Sequence, residues 1–173
     1  NSVIEAIDAD TIYDVPLLFE QEDFGGKVLE RLGLKDRPAD MKDWKKLLKT
    51  IKTTTKKVRI AVVGKYFGTG EFTLADSYIS VIEAAKHGAW ANGVLPEFTW
   101  LDAERYQKHP KQLTELLGYD GVIVPGGFGE RGIEGIIAAI EFVRTHRIPY
   151  LGLCYGMQLA AIEFARNVAG LKK

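Results

Sequence analysis

A single cysteine lies in a pattern that enzymes use to present a nucleophile. Cys154 is at the centre of residues 152–156, Gly-Leu-Cys-Tyr-Gly, which have the glycine-x-nucleophile-x-glycine form of a nucleophile elbow. In an elbow the nucleophile occupies a strained turn, and small flanking residues let a strand and a helix approach closely. The thiol then lies at the amino end of a helix, where the helix dipole and free N–H groups favour the thiolate. A backbone N–H just after the nucleophile is placed to stabilise an oxyanion.

The surroundings of Cys154 decide between two interpretations. A lone cysteine is most often a small buried apolar residue. Here residues 150–153 have the character of a short strand, and residues 155–166 have helical spacing. This strand-turn-helix context favours the catalytic interpretation.

A glycine-rich loop follows another predicted strand, at residues 124–129, Val-Pro-Gly-Gly-Phe-Gly. It is either a tight turn, a phosphate-binding loop or a loop whose N–H groups face the elbow. It lacks the spacing of the dinucleotide-binding and Walker motifs. In the third interpretation Gly126 and Gly127 are small because substrate contacts the main chain there.

The elements around these motifs alternate between short apolar strands and helices. The strands are predicted at residues 58–63, 97–101, 121–124 and 150–153, and the helices at 74–91, 110–117, 132–144 and 155–166. Such alternation predicts an α/β fold with a doubly wound, mostly parallel, flavodoxin-like sheet and helices on both faces. Ligands bind at the carboxyl ends of the strands in such sheets, which is where both motifs fall.

The first 57 residues have a different character. An extended segment stopped by Pro16 is predicted at residues 11–18, and one helix at residues 20–32. Residues 40–52 carry Trp44, Leu47, Leu48 and Ile51 at helical spacing, which predicts an amphipathic helix that docks on another surface. The polar tract 53–57 is the predicted boundary, so that residues 1–57 form a helical linker and residues 58–173 a second domain.

Composition excludes several classes of protein. The formal net charge is zero, so a basic nucleic-acid surface is not expected. One cysteine permits no internal disulfide, which favours a reducing, cytoplasmic location. No apolar run reaches the length of about 20 residues that spans a bilayer, and no signal peptide precedes the first motif. The absence of an initiator methionine suggests a piece of a longer protein.

These motifs together resemble a known family. Residues 125–129 and 151–158 resemble the oxyanion loop and elbow of class I glutamine amidotransferases. In more detail, the sequence resembles the CTP synthase family. Residues 64–66 and 76–84 resemble its lid and first helix, and residues 125–135 its glycine loop. Residues 12–16 resemble the end of its synthetase domain, with residues 58–173 the first part of its glutaminase domain.

The resemblance implies specific roles for site residues. Cys154 is the nucleophile, Gly126, Gly127 and Tyr155 lie at the oxyanion hole and glutamine site, and Gly156, Met157 and Gln158 complete the glutamine-binding stretch. A contribution to the GTP response is implied for Arg131. No metal or cofactor is implied for this chain.

The resemblance also implies a larger enzyme, a homotetramer that uses glutamine, UTP, ATP and Mg²⁺, with GTP as activator, and that binds neither nucleic acid nor membrane.

The family's catalytic histidine and glutamate lie downstream of the position of Lys173. His87, His109 and His146 are not expected to replace them. His146 precedes Cys154 by eight residues across a strand, or about 26 Å. The 173 residues alone are therefore expected to be inactive. Segment 67–73 is longer than the usual lid.

Two alternatives remain open. One is the glutaminase domain of another amidotransferase, such as a GMP synthetase, which would share the elbow. The other is a non-catalytic module for oligomerisation or regulation.

Overall fold

The computed structural model describes residues 3–5, 7–65, 78–127 and 129–171. The chain divides into two compact units, Asn1–Thr54 and Thr55–Lys173. The division falls in the polar tract between the last helix of the first unit and the first strand of the second.

The first unit is helical in its described residues. A 3-10 turn at Ile12–Asp14 is followed by α1 (Val15–Gln21), α2 (Phe24–Arg31) and α3 (Lys42–Thr53). The indole Nε1 of Trp44, on α3, donates a 2.8 Å hydrogen bond to the Tyr13 carbonyl, and the two rings are 6.0 Å apart. Tyr13 and Leu48 are buried. The predicted amphipathic helix is present, and its apolar side contacts a residue of its own unit.

Two predictions for this unit are wrong. Residues 12–18 are helical, with Pro16 in the first turn of α1, where its missing N–H removes no intrahelical hydrogen bond. A single helix was predicted at residues 20–32, but these residues contain the end of α1 and the whole of α2. Asp23 separates them in a left-handed conformation, with φ of 53°, which a continuous helix does not accommodate.

The second unit contains a parallel sheet. Its described strands are β1 (Lys57–Gly64), β2 (Leu95–Asp102), β3 (Gly121–Val124) and β4 (Tyr150–Gly152), in the order β2-β1-β3-β4. All pairs are parallel, with Gly64 opposite Asp102 and Val124 opposite Gly152. The carboxyl ends of the strands therefore meet at one edge, as predicted.

The α-helices in the described part of this unit are α4 (Ile79–Ala91), α5 (Ala103–Lys108), α6 (Ile133–Thr145) and α7 (Tyr155–Asn167). The prediction missed α5, and residues predicted as a helix at 110–117 form a 3-10 segment, Pro110–Gly118. The first predicted residues of α4, 74–77, and the lid segment 67–73 lie outside the described residues.

Alternate side chains of β1 supply the two faces of the sheet. Val62 packs with Ile82 of α4, while Ala61 and Val63 belong to a larger core that includes Tyr106 of α5 and residues of α6 and α7. Helices thus cover both faces, which confirms the doubly wound arrangement. Among the helices in the described ranges, none is long and apolar enough to cross a membrane.

Candidate active site

Cys154 occupies the turn that joins β4 to α7. Its φ of 52° and ψ of −105° lie in a region that residues with a side chain rarely adopt and that costs about 1–3 kcal/mol. The Gly156 N–H donates to the Leu153 carbonyl at 2.9 Å, and the Gln158 N–H donates to the Cys154 carbonyl at 3.1 Å. The residue is exposed. The predicted strained elbow at a strand's carboxyl end is therefore confirmed.

The two glycines of the elbow are steric necessities. A Cβ built on Gly156 would lie 2.2 Å from the Val124 carbonyl oxygen, and one on Gly152 would lie 2.7 Å from the Met157 nitrogen. The Leu153 N–H donates to that same Val124 carbonyl at 2.9 Å, which holds the turn against the end of β3. Main-chain packing therefore fixes the elbow.

The phenol of Tyr150 supports the elbow from within. Its hydroxyl donates a 2.8 Å hydrogen bond to the Gly156 carbonyl, in the first turn of α7. Burial raises the pKa of Tyr150 well above its ordinary value, so the hydroxyl stays protonated as a donor.

The glycine loop lies beside the thiol. A Cβ built on Gly126 would be 3.6 Å from the Cβ and 4.0 Å from the Sγ of Cys154, and one on Gly127 would be 4.0 Å from the Tyr155 ring. This closeness is the arrangement expected if the N–H groups of the loop face the elbow. No Cβ is present at either glycine to separate main chain from thiol.

Side chains from other elements hold the carbonyl groups of this loop. The Tyr78 hydroxyl donates to the Gly126 carbonyl at 3.1 Å. The Lys65 ammonium donates to the Gly129 carbonyl at 2.5 Å and lies 5.0 Å from the centroid of the Tyr155 ring, within range of a cation–π interaction. The Tyr155 hydroxyl is 3.5 Å from the same Gly129 oxygen.

Lys65 was not predicted as a site residue. It directly follows β1, so its position at a strand's carboxyl end was a usable signal. Its side chain is buried, with 3% of the residue exposed. Desolvation lowers the pKa of Lys65, and the carboxylate of Glu104 opposes that shift.

Arg131 precedes α6 and contacts a residue of α5. Its guanidinium pairs with Glu104, while its side chain remains 69% exposed. Arg131, Glu104 and Gly132 line an open cavity of about 440 Å³, together with Gln107, Lys108 and Glu130.

The structure brings Gly126, Gly127, Cys154 and Tyr155 together. The other predicted glutamine-binding residues lie in the first turn of α7, where Gly156 is buried and Met157 and Gln158 are exposed.

None of the three histidines was predicted to serve Cys154, and the structure gives each a different setting. His146 ends α6 at the amino side of β4, its Nδ1 2.8 Å from the Phe142 carbonyl and its ring stacked on Phe142. His87 is on α4, with its ring 5.4 Å from that of Trp90. His109 follows α5. Within the described ranges, no grouping of three or more His, Cys, Asp or Glu side chains is arranged to hold a metal ion.

A parallel α/β sheet with a cysteine elbow beside a glycine loop defines a class of enzyme. The family model of class I glutamine amidotransferases matches residues 73–173, and the chain belongs to that family.

Within this family the sequence is similar to CTP synthases. It is 47% identical over 171 residues to the CTP synthase of Pyrococcus furiosus, 47% over 172 residues to that of Bacillus cytotoxicus and 48% over 170 residues to that of Methanococcoides burtonii. Each match covers 98–99% of this chain but only 30–31% of the relative. The chain thus spans less than a third of the length of these curated relatives.

A solved structure agrees with the sequence matches. The glutaminase domain of Trypanosoma brucei CTPS, with bound acivicin, superposes with a TM-score of 0.57 at 42% sequence identity. The match covers 65% of this chain and 42% of that one.

Proposed function

We propose that this chain is the glutaminase part of a CTP synthase, in which Cys154 releases ammonia from glutamine. The observation that carries the proposal is the exposed Cys154 in a strained elbow. Gly126 lies beside it, and a Cβ on Gly126 would be only 4.0 Å from the thiol sulfur. The relatives' shared name, CTP synthase, favours this interpretation over a GMP synthetase.

The chemistry is acyl transfer through a thioester. The Cys154 thiolate attacks the carbon of the glutamine side-chain amide, so that a C–S bond forms and the carbonyl oxygen becomes an oxyanion. We assign the stabilisation of that oxyanion to N–H groups of the glycine loop and of Tyr155. Its collapse breaks the C–N bond, and the nitrogen leaves as ammonia after gaining a proton. Water then cleaves the thioester, giving glutamate and the free thiol.

The remaining site residues have supporting roles in the proposal. Gly156 lets α7 begin against β3, and Met157 and Gln158, exposed on the first turn of α7, contact the bound glutamine. Arg131 belongs to the response to GTP. Its exposed guanidinium beside an open cavity is compatible with an anionic partner.

The rest of the reaction is assigned to the parts of the enzyme beyond these residues. There, ATP and Mg²⁺ activate UTP, and ammonia from the glutaminase site converts it to CTP. We place this enzyme in the cytoplasm as a homotetramer. No step at Cys154 uses a metal, because thiolate attack and thioester hydrolysis need only a nucleophile, an oxyanion site and proton transfer.

Proton transfer to the leaving ammonia is the step that we expect these 173 residues to perform poorly on their own. His146 is tied to Phe142 at the amino end of β4, whereas Cys154 follows the carboxyl end of the same strand. Absence of a general acid costs about 100- to 10,000-fold in rate. The chain in isolation is therefore expected to hydrolyse glutamine very slowly.

The decisive experiment is Cys154→Ala in the complete enzyme. Glutamine-dependent CTP formation should disappear, while formation from added ammonia should remain nearly intact, because the thiol acts only in ammonia release. As an independent measurement, a glutamine analogue carrying an electrophile should label Cys154 in the parent enzyme. Acivicin, bound in the Trypanosoma brucei domain, is a suitable compound to try.

Two outcomes would reject the proposal. One is a Cys154→Ala enzyme that still uses glutamine at the parent rate. The other is a folded variant that loses the ammonia reaction as well, which would assign Cys154 a structural role. A complete enzyme that neither turns over glutamine nor reacts with the analogue would instead support the non-catalytic module.

A further inference from the structure

A hydrogen bond to its carbonyl oxygen fixes the orientation of the peptide group between Gly126 and Gly127. A trans peptide is planar, and its C=O and N–H point in opposite directions. The Tyr78 hydroxyl binds the Gly126 oxygen at 3.1 Å, so this contact also sets the direction of the Gly127 N–H. That peptide lies beside the elbow, since a Cβ on Gly126 would be 4.0 Å from the thiol sulfur.

A second side chain holds the far end of the same loop. Lys65 donates to the Gly129 carbonyl, and Gly129 has a left-handed φ of 79°. The ammonium also lies over the ring of Tyr155, the residue that follows the nucleophile. Lys65 thus touches the glycine loop and the elbow at once.

Two segments from different parts of the chain therefore contact the loop. Tyr78 immediately precedes α4, and Lys65 immediately follows β1. Neither contact lies within a helix or a strand pairing, so neither is needed to complete secondary structure.

Resting on the proposed glutaminase activity, we propose that Tyr78 and Lys65 are positioning residues, which hold the carbonyl groups of the glycine loop so that its N–H groups face the oxyanion formed at Cys154. Both act through the main chain of the loop. A fixed loop carries its N–H groups already oriented, so no reorganisation is needed as charge develops in the transition state.

The burial of Lys65 argues against a stabilising role for its charge. With only 3% of the residue exposed, the ammonium has lost most of its hydration. Desolvation lowers the pKa of Lys65, which means that the folded state disfavours the charged form and that the charge lowers stability at neutral pH. Because the buried ammonium of Lys65 does not stabilise the fold, we explain its presence by its contact with the glycine loop.

The test uses Tyr78→Phe and Lys65→Met in the complete enzyme, which remove one hydroxyl and one ammonium while keeping most of each side chain. We expect kcat for glutamine hydrolysis to fall about 10-fold in the first variant and about 10- to 100-fold in the second, from loss of oriented oxyanion donors. KM should change less than about twofold, because the lost interaction belongs to the transition state.

Three further measurements separate positioning from structural damage. The rate of Cys154 alkylation by iodoacetamide should be unchanged, because that displacement forms no oxyanion. Amide exchange across residues 125–131 should accelerate in both variants. The melting temperature of Lys65→Met should equal or exceed that of the parent, since a buried charge is removed.

Matched controls make the same changes elsewhere in the unit. Tyr119→Phe alters a half-buried tyrosine and Lys111→Met an exposed lysine, and both should keep the parent's kcat and loop exchange.

Each outcome decides the inference. Unchanged loop exchange, or unchanged kcat in a parent that hydrolyses glutamine, overturns it. A parallel fall in kcat, alkylation rate and melting temperature also overturns it, in favour of a structural role. If the parent itself fails to hydrolyse glutamine, the proposed function is rejected, and loop exchange still decides whether Tyr78 and Lys65 hold the loop.

Discussion

The two turns that meet at the Cys154 thiol keep their shapes by different means. In the elbow, backbone packs on backbone: a Cβ on Gly156 would lie 2.2 Å from the Val124 oxygen, and Cys154 itself is held at a positive φ. In the glycine loop, side chains from elsewhere bind the carbonyl groups, and a Cβ on Gly126 would meet its nearest neighbour at an ordinary 3.6 Å.

Glycine therefore differs in purpose between two positions a few ångströms apart. In the elbow it is required for the chain to fold into this turn. In the loop, under the proposed function, it leaves main chain accessible to the substrate. Substitutions in the elbow should accordingly appear as lost stability, and substitutions in the loop as lost catalysis.

The largest effect is expected for Gly156→Ala. The added methyl group would overlap the Val124 carbonyl, and neither main-chain segment can retreat without disturbing β3 or α7. Overpacking of this kind costs on the order of 3 kcal/mol. Thermal unfolding measures it, with Gly88→Ala as the control, because Gly88 is a helical position with no neighbour within 4 Å. Equal melting temperatures for Gly156→Ala and the parent would contradict the account of the elbow.

A second stability effect concerns the helix that carries the elbow. Glu163 of α7 is almost fully buried and accepts hydrogen bonds from Arg144 of α6, including one of 2.6 Å. Hydrogen bonds from Arg144 hold the pKa of Glu163 below its ordinary value of 4.5. Glu163→Gln should cost about 2 kcal/mol at pH 7, a value reduced from that of a fully buried pair because the Arg144 side chain is 35% exposed.

The pH dependence gives this prediction a sign. A carboxyl group with a lowered folded-state pKa contributes stability above its unfolded pKa and loses it as pH falls through the folded one. The difference between parent and Glu163→Gln should therefore shrink below pH 4.5. Glu134→Gln is the control, since Glu134 pairs with Arg166 between the same two helices but is 59% exposed. A pH-independent difference would show that the charge of Glu163 is not its source.

A smaller effect, on catalysis alone, is expected for Gly126→Ala. The methyl group fits sterically but would stand 4.0 Å from the Sγ of Cys154, in the space that the amide carbon enters in the proposed reaction. We expect kcat/KM for glutamine to fall at least about tenfold, with an unchanged melting temperature. Loss of stability without loss of activity would reverse the assignment of the two turns.

The smallest effect is a gain in stability for Cys154→Gly. Glycine adopts a positive φ without the steric cost borne by other residues, and the exposed thiol contributes little burial. Calorimetry should show a gain of about 1 kcal/mol. Cys154→Ala retains the Cβ and should show no such gain. Equal stability of the two variants would mean that the φ of Cys154 carries little strain.

The second unit was predicted well where the local signal is strong. β1 is rich in β-branched apolar residues and β3 is a continuous apolar run, and each ends within a residue of the predicted position. Helix α5 was missed because its six residues follow β2 with no intervening loop. Asp102 caps it by accepting from the Glu104 N–H at 2.9 Å, and an aspartate at that position was the available signal.

The first unit was predicted less well because short helices depend on details that periodicity does not carry. Pro16 has opposite meanings at a helix start and within an extended segment, and only its position in α1 decides between them. The left-handed Asp23 gave no sign in the sequence beyond its residue type.

The residues of the candidate site also differ in how well local sequence predicts them. Cys154 and the glycines are contiguous motifs, so the sequence alone locates them. Tyr78 is 48 residues from Gly126 and Lys65 is 64 residues from Gly129. Such contacts arise from the order and register of the strands, which local patterns do not specify.

The absence of space at Gly156 also limits how this gene can change. Every amino acid that a single-nucleotide change of a glycine codon can introduce carries a Cβ, and a Cβ at this position meets the Val124 carbonyl. No single-nucleotide change at this codon can therefore replace glycine without introducing this clash. In a survey of random variants, position 156 should be empty of missense substitutions among functional clones, while position 88, where nothing lies within 4 Å, should accept several.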